Sequence, residues 1–430
     1  MENCAEDRKG NGLYIKREIM ENTNILKIGT LFSGIGAFEE ALRQLDVPHE
    51  IKFACDNGEI ELIPLDRPER WEFKRLNRRV KSLHEEEKSR YNALKNKIEG
   101  AIDHIRTYAL SLDKKEQVNK YIDRVYKLYE ADRENYVKES YCANYKIGPN
   151  DFYKDVRFLS GKYYVNDIDI IVGGSPCQSF STYGKKLGLD DTRGTLFYDY
   201  ARIIKEIQPK VFIYENVPGL LTHDNKKTWS IMLDVWKSLE YEVCWEILNA
   251  ADYNHPQTRC RLFLIGFRKD IYKKEYSFPS KMELKHSSFE YLEQSPVDDR
   301  FYLGKKGFEW VTDNQKNKNK TRYNREVIGC ETANQQFNWI GDLRVESPSP
   351  KHYNNPNIFI GQLNGKPAVA RKMTPRECLR LMGFDDCFKI VVHDKQAYRQ
   401  AGNSIVVPVL KEIIKSLSSY IDNLEIGNQK

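Results

Sequence analysis

The sequence has no C-x-x-C pair and no Cys/His cluster at metal-ligand spacing, although it carries nine cysteines among 430 residues. An odd number of thiols without paired spacing points to a reducing compartment, and away from a disulfide framework or a structural zinc centre. No apolar run approaches the roughly 20 residues needed to span a bilayer. The N-terminal M-E-N-C-A-E-D-R-K-G has no apolar stretch of the kind a secretory signal needs, so a cytoplasmic protein without membrane attachment is expected. Charged residues at 30% and a mean hydropathy of -0.66 suit a globular chain, long enough for one large domain and a smaller one. The formal net charge of +6, with a pI near 8.6, permits a polyanionic partner without requiring one.

A third glycine is also missing where a dinucleotide site would have it. Residues Leu26 to Leu45 read L-K-I-G-T-L-F-S-G-I-G-A-F-E-E-A-L-R-Q-L. A strand-like run reaches Phe32, and Gly34 and Gly36 then open a helix with apolar positions at Phe38, Ala41, Leu42 and Leu45. Strand, glycine turn and helix is the first unit of a nucleotide-binding βαβ fold, whose glycines admit a ligand to a helix N-terminus. The G-x-G spacing stops short of the dinucleotide fingerprint, which a ligand without a pyrophosphate would not need. A second strand, Ile51 to Cys55, delivers Asp56 to a position where an acid can accept from a ribose. Taken alone, such a pair of glycines is more often an ordinary βα turn.

Between Pro64 and Glu139 the pattern changes. Leu76, Val80, Leu83, Tyr91, Leu94, Ile98, Ile102, Ile105 and Leu112 recur at three- and four-residue spacing among dense charges of both signs. After a break at Ser111-Leu112-Asp113, Val118, Ile122, Val125 and Leu128 resume the spacing. This predicts two long amphipathic helices folded as a hairpin and inserted into the α/β domain, by default a solvated arm and alternatively one that contacts DNA or a partner.

The α/β pattern returns with Asp155-Val156 and then D-I-D-I-I-V-G-G-S-P-C-Q, in which the run Ile168 to Val172 predicts a buried parallel strand. Cys177 follows just past its carboxyl end, where open α/β sheets place their chemistry. A lone thiol in such a turn is more often a small buried residue. The next strand, Val211 to Tyr214, runs into Glu215-Asn216-Val217, so a second reactive side chain terminates a neighbouring strand. Arg259 and Arg261 enter the strand Leu262 to Phe267 two residues apart, which puts both guanidinium groups on one face.

In this order, F-S-G-I-G, G-G-S-P-C-Q, D-T-R-G-T-L-F, Y-E-N-V, H-P-Q-T-R-C-R, R-K-M-T-P-R-E-C-L-R-L-M-G-F and A-G-N-S-I-V-V-P-V-L resemble the DNA (cytosine-5) methyltransferases of bacterial restriction–modification systems. The motifs span Leu26 to about Leu410. Thr30 stands where the family usually has an acid, Ala37 replaces a common glycine, and Ser175 precedes Pro-Cys where Phe is frequent.

The resemblance implies an α/β class I S-adenosyl-L-methionine-dependent methyltransferase fold with a Rossmann-like mixed sheet. Residues 25–267 would form the catalytic and cofactor domain, with the helical hairpin at 64–139. Residues 268–370 would be the target-recognition domain, and 371–425 would return to the catalytic domain. It implies Cys177 as the nucleophile on a flipped cytosine, Glu215 as the donor at N3, Arg261 at O2, and Arg259 as a brace of the site and the Cys177 loop. Gln178 to Gly194 would close over the base. The cofactor would contact Phe32, Gly34, Gly36, Asp56, Asp155, Val156, Pro176, Leu196, Asn403 and Ser404. Partners would be double-stranded DNA and, without a stable complex, a cognate restriction endonuclease; the chain would act as a monomer with no metal. Cytosine-5 methylation of transfer RNA and a nicotinamide-dependent oxidoreductase are the rivals. The latter leaves P-C-Q, E-N-V and Q-T-R-C-R unexplained.

Residues 268–370 are rich in Asn, Lys, Arg, Gln and aromatics, as in K-N-K-N-K-T-R-Y-N-R, Q-Q-F-N-W and S-P-S-P-K-H-Y-N-N-P. Polar side chains of this kind read base edges, each good contact being worth about 1–3 kcal/mol of discrimination. Exchanging this segment with that of a related enzyme should therefore move the methylated sequence while methylation stays at cytosine C5. Methylation mapping of the exchanged protein checks this; an unchanged target sequence contradicts it.

Overall fold

In the computed structural model, which describes residues 25–130, 133–175, 196–294, 296–313, 315 and 321–421, the run around Ile170 is the central strand of a seven-stranded sheet. Strands β1 (Leu26–Leu31), β2 (His49–Cys55), β3 (Phe152–Tyr153), β4 (Ile170–Gly173), β5 (Val211–Asn216), β6 (Tyr241–Asn249) and β7 (Cys260–Arg268) are ordered β3-β2-β1-β4-β5-β7-β6. The first five pair in parallel, and β7 runs antiparallel to β5 and β6. The carboxyl ends of β1, β2, β4 and β5 therefore share one edge with the amino end of β7. That edge is where an open sheet builds its site.

Helices along the chain are α1 (Ala37–Gln44), α2 (Arg67–Asn77), α3 (Glu85–Ser111), α4 (Lys115–Glu130), α5 (Tyr136–Asn144), α6 (Leu196–Ile207) and α7 (Lys227–Ser238). After these come α8 (Lys305–Thr312), α9 (Gln335–Asn338), α10 (Pro350–Tyr353), α11 (Pro375–Leu381), α12 (Asp394–Asn403) and α13 (Val407–Leu417). The sheet is covered on both faces, which is why β4 reads as a continuous apolar run. Ile170 and Val172 join Leu26, Ile28, Val211 and Ile213 against Leu42 of α1 and Leu410 and Ile414 of α13. Ile171 points the other way, into a core with Phe212, Ile204 of α6 and Trp236 of α7.

The segment after β2 departs from the predicted pair of helices. The hairpin is there, α3 and α4 meeting at the Ser111–Asp113 break, but a further helix, α2, precedes it. Asp66 caps α2 by accepting from the Glu69 amide, and Pro68 stands in its first turn, where a missing N–H costs nothing. Two small cores hold the arm together: Phe73, Leu76, Leu94 and Ile98 join α2 to α3, and Ile105, Val118 and Ile122 join α3 to α4.

A second sheet, ordered β10-β11-β9-β8, is built from β8 (Thr321–Tyr323), β9 (Gly341–Glu346), β10 (Gly361–Leu363) and β11 (Lys366–Arg371). Phe308 and Val311 of α8 pack on its Leu343, Val345 and Ala370. The K-N-K-N-K run, residues 316–320, lies outside the described residues. Strand β11 crosses the 370 boundary and ends in Arg371, whose guanidinium is 1% exposed. It bonds Glu377 of α11 through both oxygens at 2.8 and 2.9 Å, and Glu346 of β9 at 3.2 Å.

This fork joins the small sheet to the helices that return to the large one. Removing one charge of a buried pair leaves the other uncompensated, at about 3–5 kcal/mol. Glu377→Gln should lower the urea-unfolding free energy by roughly that amount, and a paired Arg371→Met/Glu377→Leu replacement by clearly less. Equal losses in the two proteins would contradict the assignment.

Candidate active site

The site begins where β4 and β5 end side by side, with Gly173 in register with Tyr214. Beyond that pair the strands touch so closely that a Cβ on Gly174 would lie 2.1 Å from the Glu215 carbonyl oxygen. Only glycine fits there. Asn216 donates to the Ser175 carbonyl at 2.9 Å, and the Ser175 hydroxyl meets the Tyr214 hydroxyl at 2.6 Å. Ser175 is thus locked beside the Glu215-Asn216 end of β5. Pro176, Cys177 and the rest of the segment through 195 lie outside the described residues, so the candidate nucleophile is located only through Ser175, two residues before it.

Glu215 pairs with Arg261, its Oε1 3.1 Å from the guanidinium Nε, with both side chains under a fifth exposed. Burial pushes the Glu215 carboxyl above its ordinary range, while Arg261 and Arg259 pull it back. Two residues along the chain, Arg259 points to the same side but is spent differently. It is 3% exposed and donates to the carbonyls of Glu331 (2.6 Å), Gly402 (3.0 Å) and Ser404 (2.7 Å). Arg259 holds the Glu331 loop and the end of α12; the Cys177 loop it was expected to brace lies outside the described residues. Both arginines also reach Cys330 Sγ, at 3.5 and 3.8 Å.

Beside this edge lies a cavity of about 340 Å³ lined by Phe32, Asp56, Asp155, Val156 and Leu196, five of the expected cofactor residues. Ligand pockets run from about 300 to 1,000 Å³, mostly apolar with a few placed polar groups. The apolar Phe32, Val156 and Leu196 with the acids Asp56 and Asp155 fit an adenosine-bearing ligand. Phe32 holds a left-handed φ of 53°, a conformation that a bulky residue keeps only where its surroundings enforce it. Asp56 ties two turns together, accepting from the amides of Gly34 at 2.9 Å and Gly58 at 2.8 Å. Burial raises its carboxyl, and those two amides lower it. Burial also acts upward on Asp155, but Arg157, bonded to both its oxygens, holds it below the ordinary range.

Other expected cofactor residues are not at the cavity wall. Gly34 acts through its amide on Asp56. Gly36, at φ 83°, leaves room for the ring of Tyr145, whose hydroxyl bonds its carbonyl at 2.8 Å. Asn403 donates to Glu59 at 2.8 Å, and Ser404 serves Arg259 through its carbonyl. Gln335 and Gln336, quoted among polar residues suited to reading bases, are buried. Gln336 accepts from the Met373 amide and donates to the Asp342 carbonyl.

Two positions were missed. His255 and Gln257 both donate to the Leu381 carbonyl, at 2.6 and 2.7 Å, and so pin the H-P-Q-T-R segment to α11. Burial drops the His255 imidazole to about 4, which keeps it neutral and structural. Their presence in H-P-Q-T-R-C-R was the only signal.

A family model described as C-5 cytosine-specific DNA methylase matches residues 107–419, beginning inside α3. Over 303 residues the chain is 36% identical to the Type II methyltransferase M1.ScrFI of Lactococcus lactis subsp. cremoris, covering 70% of this chain and 74% of that one. It is 34% identical over 299 residues to the Type II methyltransferase M.HhaI of Haemophilus parahaemolyticus, covering 69% and 88%. The crystal structure of a Spodoptera frugiperda DNMT2 variant superposes with a TM-score of 0.57 at 19% identity, covering 91% of this chain and 99% of that one, a likeness of fold.

Because burial raises the Glu215 carboxyl, the folded protein keeps its proton at pH values where the unfolded chain has released it. The resulting stabilisation is full below the unfolded value and is lost as pH rises through the folded one. In Glu215→Gln that slope should vanish, so the variant's urea-unfolding free energy should gain on the wild type as pH climbs through this window. A difference independent of pH would contradict the raised carboxyl.

Proposed function

The chain belongs to the C-5 cytosine-specific DNA methylase family, and on that premise we propose that it methylates C5 of a flipped cytosine within a short double-stranded DNA sequence, through a covalent bond from Cys177. Its fold is that of the class I S-adenosylmethionine-dependent methyltransferases. It is a DNA cytosine-5 methyltransferase. The observation that carries the finer reading is the meeting at one sheet edge of the Glu215–Arg261 pair with Ser175, which Asn216 fixes in place just before Pro176-Cys177.

The Cys177 thiolate adds to cytosine C6, forming the C6–S bond, while Glu215 supplies the proton that N3 takes up as charge moves into the ring. A carboxyl raised by burial suits that donation. Arg261, already beside Glu215, would polarise O2. Carbon C5 then carries nucleophilic electron density. When bound, S-adenosylmethionine supplies a sulfonium methyl group, and Phe32, Asp56, Asp155, Val156 and Leu196 would hold it. A base then takes the C5 proton, the electrons of that bond form the C5–C6 double bond as the C6–S bond breaks, and N3 returns its proton to Glu215, releasing 5-methylcytosine and the thiolate. Pro176 would flank the same pocket, and Gln178 to Gly194 would close over the base. Similarity to Type II methyltransferases accords with protection of DNA from a cognate restriction endonuclease; the chain would act as a monomer in the cytoplasm.

Duplex DNA with 5-fluorocytosine at the target should form an adduct stable to denaturing gels, because fluorine at C5 blocks the elimination. Cys177→Ser should form none and lose methyl transfer, since a serine alkoxide is hardly available near neutral pH. Adducts formed by the variant would sink the mechanism, and methylation of transfer RNA in preference to duplex DNA would sink the substrate assignment.

A further inference from the structure

We propose that the inserted helices are part of the S-adenosylmethionine site itself, with α2 and α3 forming the outer wall against which the adenosine half packs. The inference rests on the cofactor assignment above and adds residues to it. Besides Phe32, Val156 and Leu196, the cavity is lined by Phe73 of α2 and by Tyr91, Ile98 and Ile102 of α3. Without these helices, Phe32 and Val156 would line an open groove rather than a cavity.

The aromatic part of this wall is ordered. Phe73 and Tyr91 stack with centroids 5.3 Å apart and planes within 6°. The Tyr91 hydroxyl donates to Asn77 Oδ1 at 3.1 Å, and Asn77 lines the same cavity. A rigid aromatic pair with Ile98 and Ile102 beside it offers the flat apolar contact that a purine ring requires.

The arm is also anchored on the pocket's own acids. Arg106 of α3 pairs with Asp199 of α6 at 3.0 Å, where the side chains are 13% and 4% exposed. Tyr126 of α4 donates to Asp155 at 2.8 Å. Both Asp155 and Asp199 line the cavity. A charge pair so little exposed is costly unless its geometry is kept, so the wall is held at a fixed distance from the sheet edge. A merely solvated arm would have no reason to dock through pocket carboxylates.

The experiment is calorimetric titration of the full chain with S-adenosylhomocysteine in the absence of DNA. Tyr91→Ala should weaken binding by about tenfold, the loss of one well-packed aromatic contact, while Tyr91→Phe stays within about twofold. Trp71→Ala, on α2 but 80% exposed and outside the cavity, should bind like the wild type. Ile102→Trp fills the cavity from the same wall and should also weaken binding by about tenfold. Wild-type affinity in either Tyr91→Ala or Ile102→Trp overturns the proposal. If the wild-type chain itself does not bind S-adenosylhomocysteine, the cofactor assignment fails first, and the two failures are thereby told apart.

Discussion

The buried guanidinium of Arg259 is the constraint on which the architecture turns. Taking a cation out of water costs several kcal/mol unless hydrogen bonds replace its hydration. Here the replacement comes from carbonyls far apart in sequence, Glu331 on one side and Gly402 and Ser404 on the other. The large sheet, the β8–β9 connection of the small sheet and the end of α12 must therefore converge on one point. Arg261, two residues later, is then presented to Glu215 on β5.

A second set of bonds secures the same junction. His255 and Gln257 hold the segment before Arg259 to the last turn of α11, and Arg371 holds β11 to the first turn of that helix. Thr374 and Glu377 form the capping box of α11, so Glu377 both starts the helix and neutralises Arg371. The motifs near the C-terminus, remote in sequence from β7, are thus mechanical parts of the active edge. That accounts for Asn403 and Ser404 lying beside Glu59 and Arg259 and not at the cavity wall.

The long insertion leaves the sheet at the carboxyl end of β2, Cys55, on the edge that carries the expected cofactor residues, and returns to the amino end of the parallel β3, Phe152. Chain inserted there departs beside the pocket and crosses to the opposite edge of the sheet to begin β3. Long insertions at such loops cost little chain entropy, and one that packs back can add surface to the site. Phe73 and Tyr91 do so here, and Tyr126 and Arg106 set the distance.

Local pattern alone marked β1, β2, β4, β5, β7 and the glycine turn, and offered Cys177, Glu215, Arg259 and Arg261 as candidate reactive groups. Ile168 to Val172 had to be a strand covered on both faces, because alternate residues of an uninterrupted apolar run point in opposite directions. Glu215, Arg259 and Arg261 could be named from their place at strand ends. The arm's break at Ser111–Asp113 was legible because helical spacing stops there, whereas α2 was not, since its apolar positions are few and its cap is a single aspartate. What each side chain touches was left to the tertiary structure. Arg259 and Arg261 are indistinguishable in Q-T-R-C-R, yet one is consumed by three carbonyls and the other faces a carboxyl. Gln335 and Gln336 read as surface groups and are core braces. The arm read as solvated and closes a cavity. Periodicity encodes which face of an element is apolar, but the partner that covers the face comes from distant chain, so only folding could decide it.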